Sequence, residues 1–359
     1  MTRRESLLLL GAGAAVAVRA AAVSQTDLFV SGTRGYDTFR IPALIPSKKG
    51  TLLAFCEGRR KGRGDSGDID IVLRRSTDRG RTWSDPVTIL DMGPDTLGNP
   101  CPVVDRKTGV IYLLLTSNPG HVVEKQIIDQ SVPETRQVWV SSSADDGVSW
   151  SKPVEITSAV KDPSWTWYAT GPGVGIQLRS GRMLIPCDHV QAGTKAFYSH
   201  CIYSDDHGRT WKRGESTSEK VNECQVVELR DSSLLLNMRS YHGHNRRAIA
   251  RSRDGGIRWG EVGFDQMLVE PVCQASLIRA GDVLLFSNPA STRRENMTVR
   301  ASRDEGKTWP VSLVLEKGPS AYSCLAPVSR KRFACLYERG ERSPYEIITL
   351  ALFQLADLR

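Results

Sequence analysis

Ser76-Thr77-Asp78-Arg79-Gly80-Arg81-Thr82-Trp83 is the stretch that decides the fold. Its pattern, S-x-D-x-G-x-x-W, returns at residues 143–150, 204–211, 252–259 and 302–309, and consumes five of the eight tryptophans. At average residue frequencies, four fixed positions match by chance on the order of 10⁻² times in a chain of this length. Five copies are therefore a repeat. Successive tryptophans of the repeat lie 67, 61, 48 and 50 residues apart, the period of a four-stranded propeller blade and not of a helical solenoid.

The chemistry of the unit is that of a hairpin turn. Asp bonds nearby backbone through its side chain, Gly takes positive φ, and Trp packs the turn against its own sheet. The flanks run apolar at strand length, as in Ile69-Asp70-Ile71-Val72-Leu73 and Val110-Ile111-Tyr112-Leu113-Leu114-Leu115. No helical period longer than about three turns interrupts them. At roughly 55 residues per blade, about 335 residues make six blades. The expected fold is all-β, a six-bladed β-propeller over residues 23–359, with the sixth blade closed by strands from both termini. The repeated aspartates are structural punctuation and the wrong place to look for catalysis.

Residues 1–22 read differently. Arg3-Arg4 precedes an apolar stretch from Leu7 to Val18 and then Ala20-Ala21-Ala22, the order of an export signal of twin-arginine type. The expectation is an exported, periplasmic or secreted protein. No apolar run reaches the ~18 residues of a membrane-spanning helix, so stable membrane insertion is not expected. The 359 residues carry 48 Lys+Arg against 40 Asp+Glu, a net +8. Losing three Arg and one Glu with residues 1–22 leaves +8 − 2 = +6. Anionic partners fit this surplus, but it is too small to indicate nucleic acid. The eight cysteines contain no Cys-x-x-Cys pair, and several sit in apolar runs where a free thiol acts as a small hydrophobe. Mostly free, buried thiols are expected. The six histidines are scattered, and His242 and His244 lack a third partner, so neither metal nor cofactor is expected.

Five such turns together with Phe39-Arg40-Ile41-Pro42 resemble the bacterial and animal exo-α-sialidases, six-bladed propellers that remove terminal sialic acid. The resemblance runs from about Phe39 to Glu338. It implies a triad of arginines for the substrate carboxylate, a task that suits the permanently charged guanidinium fork. Arg40 lies in the family's Arg-Ile-Pro segment, and Arg239 (in 234–240) and Arg300 (in 297–302) stand in contexts like the other two. The segment 53–59 followed by 65–75 resembles the family's first-blade loop and puts the general acid/base on Asp65, with Asp68 as the alternative. Arg59 matches a pocket arginine. A carboxylate nucleophile would be repelled by the substrate's own, and sialidases are known to use Tyr instead. Tyr322, in 321–325, resembles that nucleophile. Glu223 resembles the partner that takes the phenolic proton, and Glu338 the acid that steadies Arg40. Asn99-Pro100-Cys101-Pro102-Val103 and the aromatic run 164–173 resemble pocket walls, although the second reads equally as a core corner.

The implied activity is hydrolysis of terminal α-linked sialic acids from glycoproteins, glycolipids and oligosaccharides, with retention through a tyrosyl-enzyme intermediate. A trans-sialidase or intramolecular trans-sialidase would use the same residues and differ only in what accepts the sialosyl group. A non-catalytic glycan-binding propeller would have lost Tyr322, Glu223 or a triad arginine. All of these positions are present.

Overall fold

The computed structural model describes residues 23–359, so the expected export signal over 1–22 lies outside them. The regular structure of the described residues is almost wholly strand, with two helices of five and four residues at Glu124–Ile128 and Thr157–Val160. No helix among them is long and apolar enough to cross a membrane.

The strands form sheets of eight, five, four and seven. Pairing is antiparallel throughout, apart from one parallel contact, Ile69 with Thr96, which joins Thr38–Ser76 to Thr96–Ser143 in the largest sheet. In the seven-stranded sheet the 17-residue strand Val311–Pro327 pairs first with Glu295–Ser302 and then, beyond its midpoint, with Arg332–Arg339. The N-terminal strand Ser24–Val30 adds to the edge of Ile347–Gln354. Strands from both ends of the described residues therefore share one sheet.

The first strands of successive sheet segments pack on one another in sequence. Thr38–Pro46 touches Thr96–Val104, which touches Trp165–Thr170 and Ile176–Gln177. Met183–Gln191 then meets Val221–Glu228, which meets Ser276–Ala280, which meets Val311–Pro327, and that strand returns to Thr38–Pro46. These inner strands are buried on both faces, as in Leu52–Arg59 beside them, where all eight residues are buried. All eight cysteines are free and buried in this interior.

All five repeats close the same end of the sheets. In the first, Asp78 Oδ1 accepts from the backbone N–H groups of Arg81 (3.0 Å) and Thr82 (2.9 Å), while Ser76 Oγ accepts from Gly80 N at 2.8 Å. Gly80 sits at φ +82, in the left-handed region. Each turn also docks on the preceding sheet segment. A Cβ on Gly147 would fall 2.2 Å from the Leu53 side chain, and one on Gly208 would fall 2.3 Å from Tyr112. The same contact recurs between Gly256 and Leu184, Gly306 and Leu235, and Gly80 and Leu350. The repeat thus ends one hairpin and seals it to its neighbour.

The tryptophans complete that seal to different degrees. Trp309 is 2% exposed, packs on Phe286 and donates from Nε1 to Asp265 Oδ2 at 2.8 Å, whereas Trp83 is only partly buried. Trp309→Ala is expected to cost roughly 3–5 kcal/mol in denaturant unfolding, the range for truncating a buried aromatic, and Trp83→Ala less. Activity of folded Trp309→Ala should match wild type, because the turn end lies away from the cavity described next. An active-site defect without a stability loss would contradict this placement.

Candidate active site

At the end of the sheets opposite the turns lies a cavity walled mostly by polar groups. The inner strands deliver those groups through β-bulges. Register shifts fall between Arg40 and Ala43, Gly98 and Cys101, Trp165 and Tyr168, Val221 and Cys224, and Ser320 and Ser323. Each shift contains or bounds a cavity residue: Arg40, Asn99, Trp167, Glu223 and Tyr322 respectively. A bulge adds a residue, bends the strand and re-aims a side chain. Two of these bends hold a non-glycine residue at positive φ directly before proline, Ile41 at 61° and Asn99 at 56°. For β-branched Ile41 that is a strained conformation, and its N–H is anchored by Glu338 Oε1 at 2.9 Å.

Tyr322 and Glu223 form the centre of the cavity. The Tyr322 hydroxyl donates to Glu223 Oε1 at 2.5 Å, and Arg239 Nη1 donates to Glu223 Oε2 at 2.8 Å and to the Tyr322 oxygen at 3.3 Å. Burial, and then the Glu223 charge, holds the Tyr322 pKa well above that of a free phenol, and Arg239 and Arg40 pull it back only in part. The resting hydroxyl is therefore neutral. A proton can pass from it to Glu223 along one short hydrogen bond.

Beside this pair, Arg40 is gripped by fully buried Glu338, with contacts of 3.1 Å at Nε and 3.3 Å at Nη2. Glu338 Oε2, which meets Arg40 Nη2, also accepts from Tyr322 N at 3.0 Å. One carboxylate thus fixes both the arginine and the tyrosine backbone. Arg59 is held by Glu57 and reaches Asp65 Oδ1 at 2.8 Å, while Arg40 Nη1 lies 3.5 Å from the same oxygen. Asp65 projects from the loop at the mouth, its side chain 59% exposed. Burial alone would raise its pKa, but Arg59 and Arg40 outweigh that and keep it below the ordinary carboxylate range.

Residues 50–334 match the family of BNR repeat-like domains. The chain is 37% identical over 350 residues to a sialidase of Micromonospora viridifaciens, covering 91% of this chain and 54% of that protein. It is 34% identical over 326 residues to a sialidase of Bacteroides fragilis, covering 84% of this chain and 60% of that one. The chain belongs to the sialidase family. Among solved structures, the Hadza microbial sialidase Hz136 superposes with a TM-score of 0.86 at 34% identity, over 93% of this chain and 69% of the other. The present chain therefore spans little more than half the length of the two curated sialidases it matches.

Within this member of the sialidase family, seven of the eight residues picked from the sequence meet around the cavity. Arg40, Arg59, Asp65, Glu223, Arg239 and Tyr322 line it, and Glu338 stands directly behind Arg40. Asp65, and not Asp68, is the acid at the mouth; Asp68 pairs with Arg60 at 3.1 Å, away from the lining. Arg300 is a correction. It lies inside the strand Glu295–Ser302, opposite Phe286 and Ser312, and does not line the cavity. Every strand that ends in a repeat turn starts at the cavity end, so six residues of strand carry Arg300 roughly 20 Å toward the turns. Arg294, just before that strand, lines the cavity instead. It donates to the Tyr345 hydroxyl at 2.7 Å, and its guanidinium carbon lies 5.6 Å from the Tyr322 ring centroid. Counting one strand length back from Ser302, which opens the fifth turn, points to the Arg293-Arg294 doublet.

The aromatic run divides between its two readings. Trp167 faces the cavity, with the Arg136 guanidinium carbon 4.0 Å from its ring centroid. Trp165 and Tyr168 turn into the core against His189 and His200. Arg136, Glu124 and Asp188 also line the cavity and carried no sequence motif. Burial, followed by the charges of Glu223 and Glu124, raises the Asp188 pKa far above the usual range, and its Oδ2 finds no hydrogen-bond partner among the described residues.

The Arg40–Glu338 pair gives a stability test. Glu338→Ala strands a buried guanidinium and removes the acceptor of two backbone N–H groups, which should cost roughly 3–5 kcal/mol. Denaturant unfolding measures it, and an unchanged midpoint would contradict the buried pairing.

Proposed function

We propose that the chain is an exo-α-sialidase that hydrolyses terminal α-linked sialic acids of glycoconjugates with retention, through a tyrosyl-enzyme intermediate, on a six-bladed β-propeller spanning residues 23–359. The observation that carries the reading is the Tyr322–Glu223 hydrogen bond of 2.5 Å inside a cavity walled by arginines. Dividing the sheets at the Ile69–Thr96 contact and at the midpoint of Val311–Pro327 leaves six units, five of four strands and one whose inner position is shared by Trp165–Thr170 and Ile176–Gln177, both paired to Met183–Gln191. The inner-strand contacts that return to Thr38–Pro46 support the six-bladed count. We further propose that residues 1–22 export the protein, and that no cofactor or metal takes part.

In this mechanism Arg40, Arg239 and Arg294 bind the substrate carboxylate, Arg294 taking the place expected of Arg300. The Tyr322 oxygen attacks the anomeric carbon as the bond to the leaving oxygen breaks. The phenolic proton goes to Glu223, and Asp65 gives its proton to the leaving group. Arg59 and Arg40 keep the Asp65 pKa below the ordinary carboxylate range. An incoming carboxylate competes for Arg40 and adds negative charge nearby, and both effects raise the proton affinity of Asp65. Water then attacks the same carbon, Asp65 takes its proton, and Tyr322 recovers its own from Glu223. Two inversions give net retention.

NMR of the reaction with 3′-sialyllactose tests the scheme: α-sialic acid should appear first and then mutarotate. A sialosyl product other than the free sugar would mark transfer, and initial β-sialic acid would overturn the tyrosyl route. A 3-fluoro sialosyl fluoride should label Tyr322 in peptide mapping.

The corrected triad separates cleanly by mutation. Arg294→Ala should lower kcat/KM by about 10- to 150-fold, since each lost charge-assisted fork removes about 1.5–3 kcal/mol and leaves the carboxylate poorly held. Arg300→Ala should stay within about threefold of wild type, the span of an ordinary surface substitution. The reverse outcome would restore Arg300 to the site.

A further inference from the structure

Behind the Arg136–Trp167 wall lies a buried amine that the proposed chemistry does not use. Lys161 follows the helix Thr157–Val160 and is 6% exposed. Its Nζ donates to the Arg136 carbonyl at 2.9 Å, to the Thr166 carbonyl at 2.8 Å and to Thr135 Oγ1. The Thr135 hydroxyl spends its own proton on the Thr166 carbonyl, at 2.7 Å. It therefore offers Lys161 a lone pair, and all three neighbours of Nζ are acceptors. An ammonium, with three N–H donors, satisfies all of them, whereas a neutral amine has only two.

We propose that Lys161 is a positioning residue whose ammonium ties the segment carrying Arg136 to the strand carrying Thr166 and Trp167, and so holds the Arg136 guanidinium and the Trp167 ring in the substrate cavity. The inference rests on the sialidase reading of that cavity. The knot grips the backbone of Arg136 itself and of Thr166, the residue next to Trp167. Thr166 and Trp167 lie inside the register shift between Trp165 and Tyr168, so the tie on the Thr166 carbonyl fixes the bend that turns the Trp167 ring to the cavity. Arg136 has few other restraints: Nη1 donates to Thr116 Oγ1 at 3.0 Å and Nη2 to Asn99 Oδ1 at 3.2 Å, while Nε is unpartnered among the described residues.

The charged groups around Lys161 do not supply a counter-ion. Arg136 stands in front of it, and the Asp162–Arg213 pair, closed at 3.1 Å, and buried His189 lie to the side. Glu134 and Glu155 line the open cavity that Lys161 borders on its other face. Burial, and then the like charge of Arg136, lowers the Lys161 pKa to about 7. A free lysine keeps its proton far above neutrality. Here the third donor is lost as pH rises through the neutral range, and either the Thr135–Thr166 bond or one arm of the knot must give way.

Steady-state kinetics on an aryl sialoside between about pH 6 and about pH 9 test the proposal, with circular dichroism melts to check folding. In wild type, KM should climb by about tenfold across that range, a loss of substrate positioning and not of chemistry. Lys161→Met should raise KM by about tenfold already at the acid end, leave kcat within about twofold, and abolish the pH dependence of KM. Thr135→Val leaves two acceptors, which a neutral amine can satisfy, and should likewise flatten KM against pH; it serves where Lys161→Met does not fold. A wild-type KM and pH profile in whichever variant folds, or a fall in kcat with KM unmoved, overturns the proposal. Wild-type protein that leaves the sialoside intact overturns the sialidase reading itself, a separate result from an active enzyme whose KM ignores Lys161.

Discussion

Five guanidinium groups, from Arg40, Arg59, Arg136, Arg239 and Arg294, share one cavity, and keeping them there against mutual repulsion is the constraint on which the rest of the structure depends. Like charges at this spacing in a partly desolvated site repel by several kcal/mol unless counter-charges sit close behind them. Glu338 stands behind Arg40, Glu57 beside Arg59 with Asp65 reaching it from the mouth, and Glu223 beside Arg239. Arg136 and Arg294 lean instead on aromatic groups, through the Trp167 ring and the Tyr345 hydroxyl. The balance leaves guanidinium N–H groups free to meet an anion. It also makes several acids serve twice. Glu338 steadies Arg40 and the Tyr322 backbone, and Glu223 both restrains Arg239 and accepts the Tyr322 proton donor.

The two ends of the sheets divide the work. At one end the five turns satisfy their own backbone through Asp and Ser side chains and dock each hairpin on its neighbour. That end is locally determined, and four of its turns place a non-glycine residue at positive φ: Arg79, Asp146, His207 and Glu305. At the other end the inner strands are bulged, two non-glycine residues are held at positive φ, and Asp188 is buried without a partner for Oδ2. Bulges and held bends of this kind can aim side chains at a ligand.

Much of this was legible in the sequence because the information is local or periodic. The turn motif is eight residues long and carries its own hydrogen bonds, so five copies identify a repeated hairpin wherever they occur. Short motifs such as Arg40-Ile41-Pro42, and the sixteen residues from Glu223 to Arg239, placed those side chains at the cavity end because a hairpin returns to the level at which it started. Arg300 failed for the same reason in reverse. Its context resembled a site, but residues on one strand are separated along the sheet, and only the end nearer the cavity counts.

The sequence by itself determined an all-β chain of repeated hairpins, with a tyrosine, a glutamate and arginines among the functional candidates, because turn chemistry and strand period are written in neighbouring residues. Tertiary structure alone decided which arginine completes the cavity, that Asp65 and not Asp68 stands at its mouth, and that Arg136, Glu124 and Asp188 join its wall. Those assignments depend on β-bulges and on packing between segments far apart in the chain. A bulge shifts register by one residue without any fixed residue code, and the Arg40–Glu338 contact spans 298 residues.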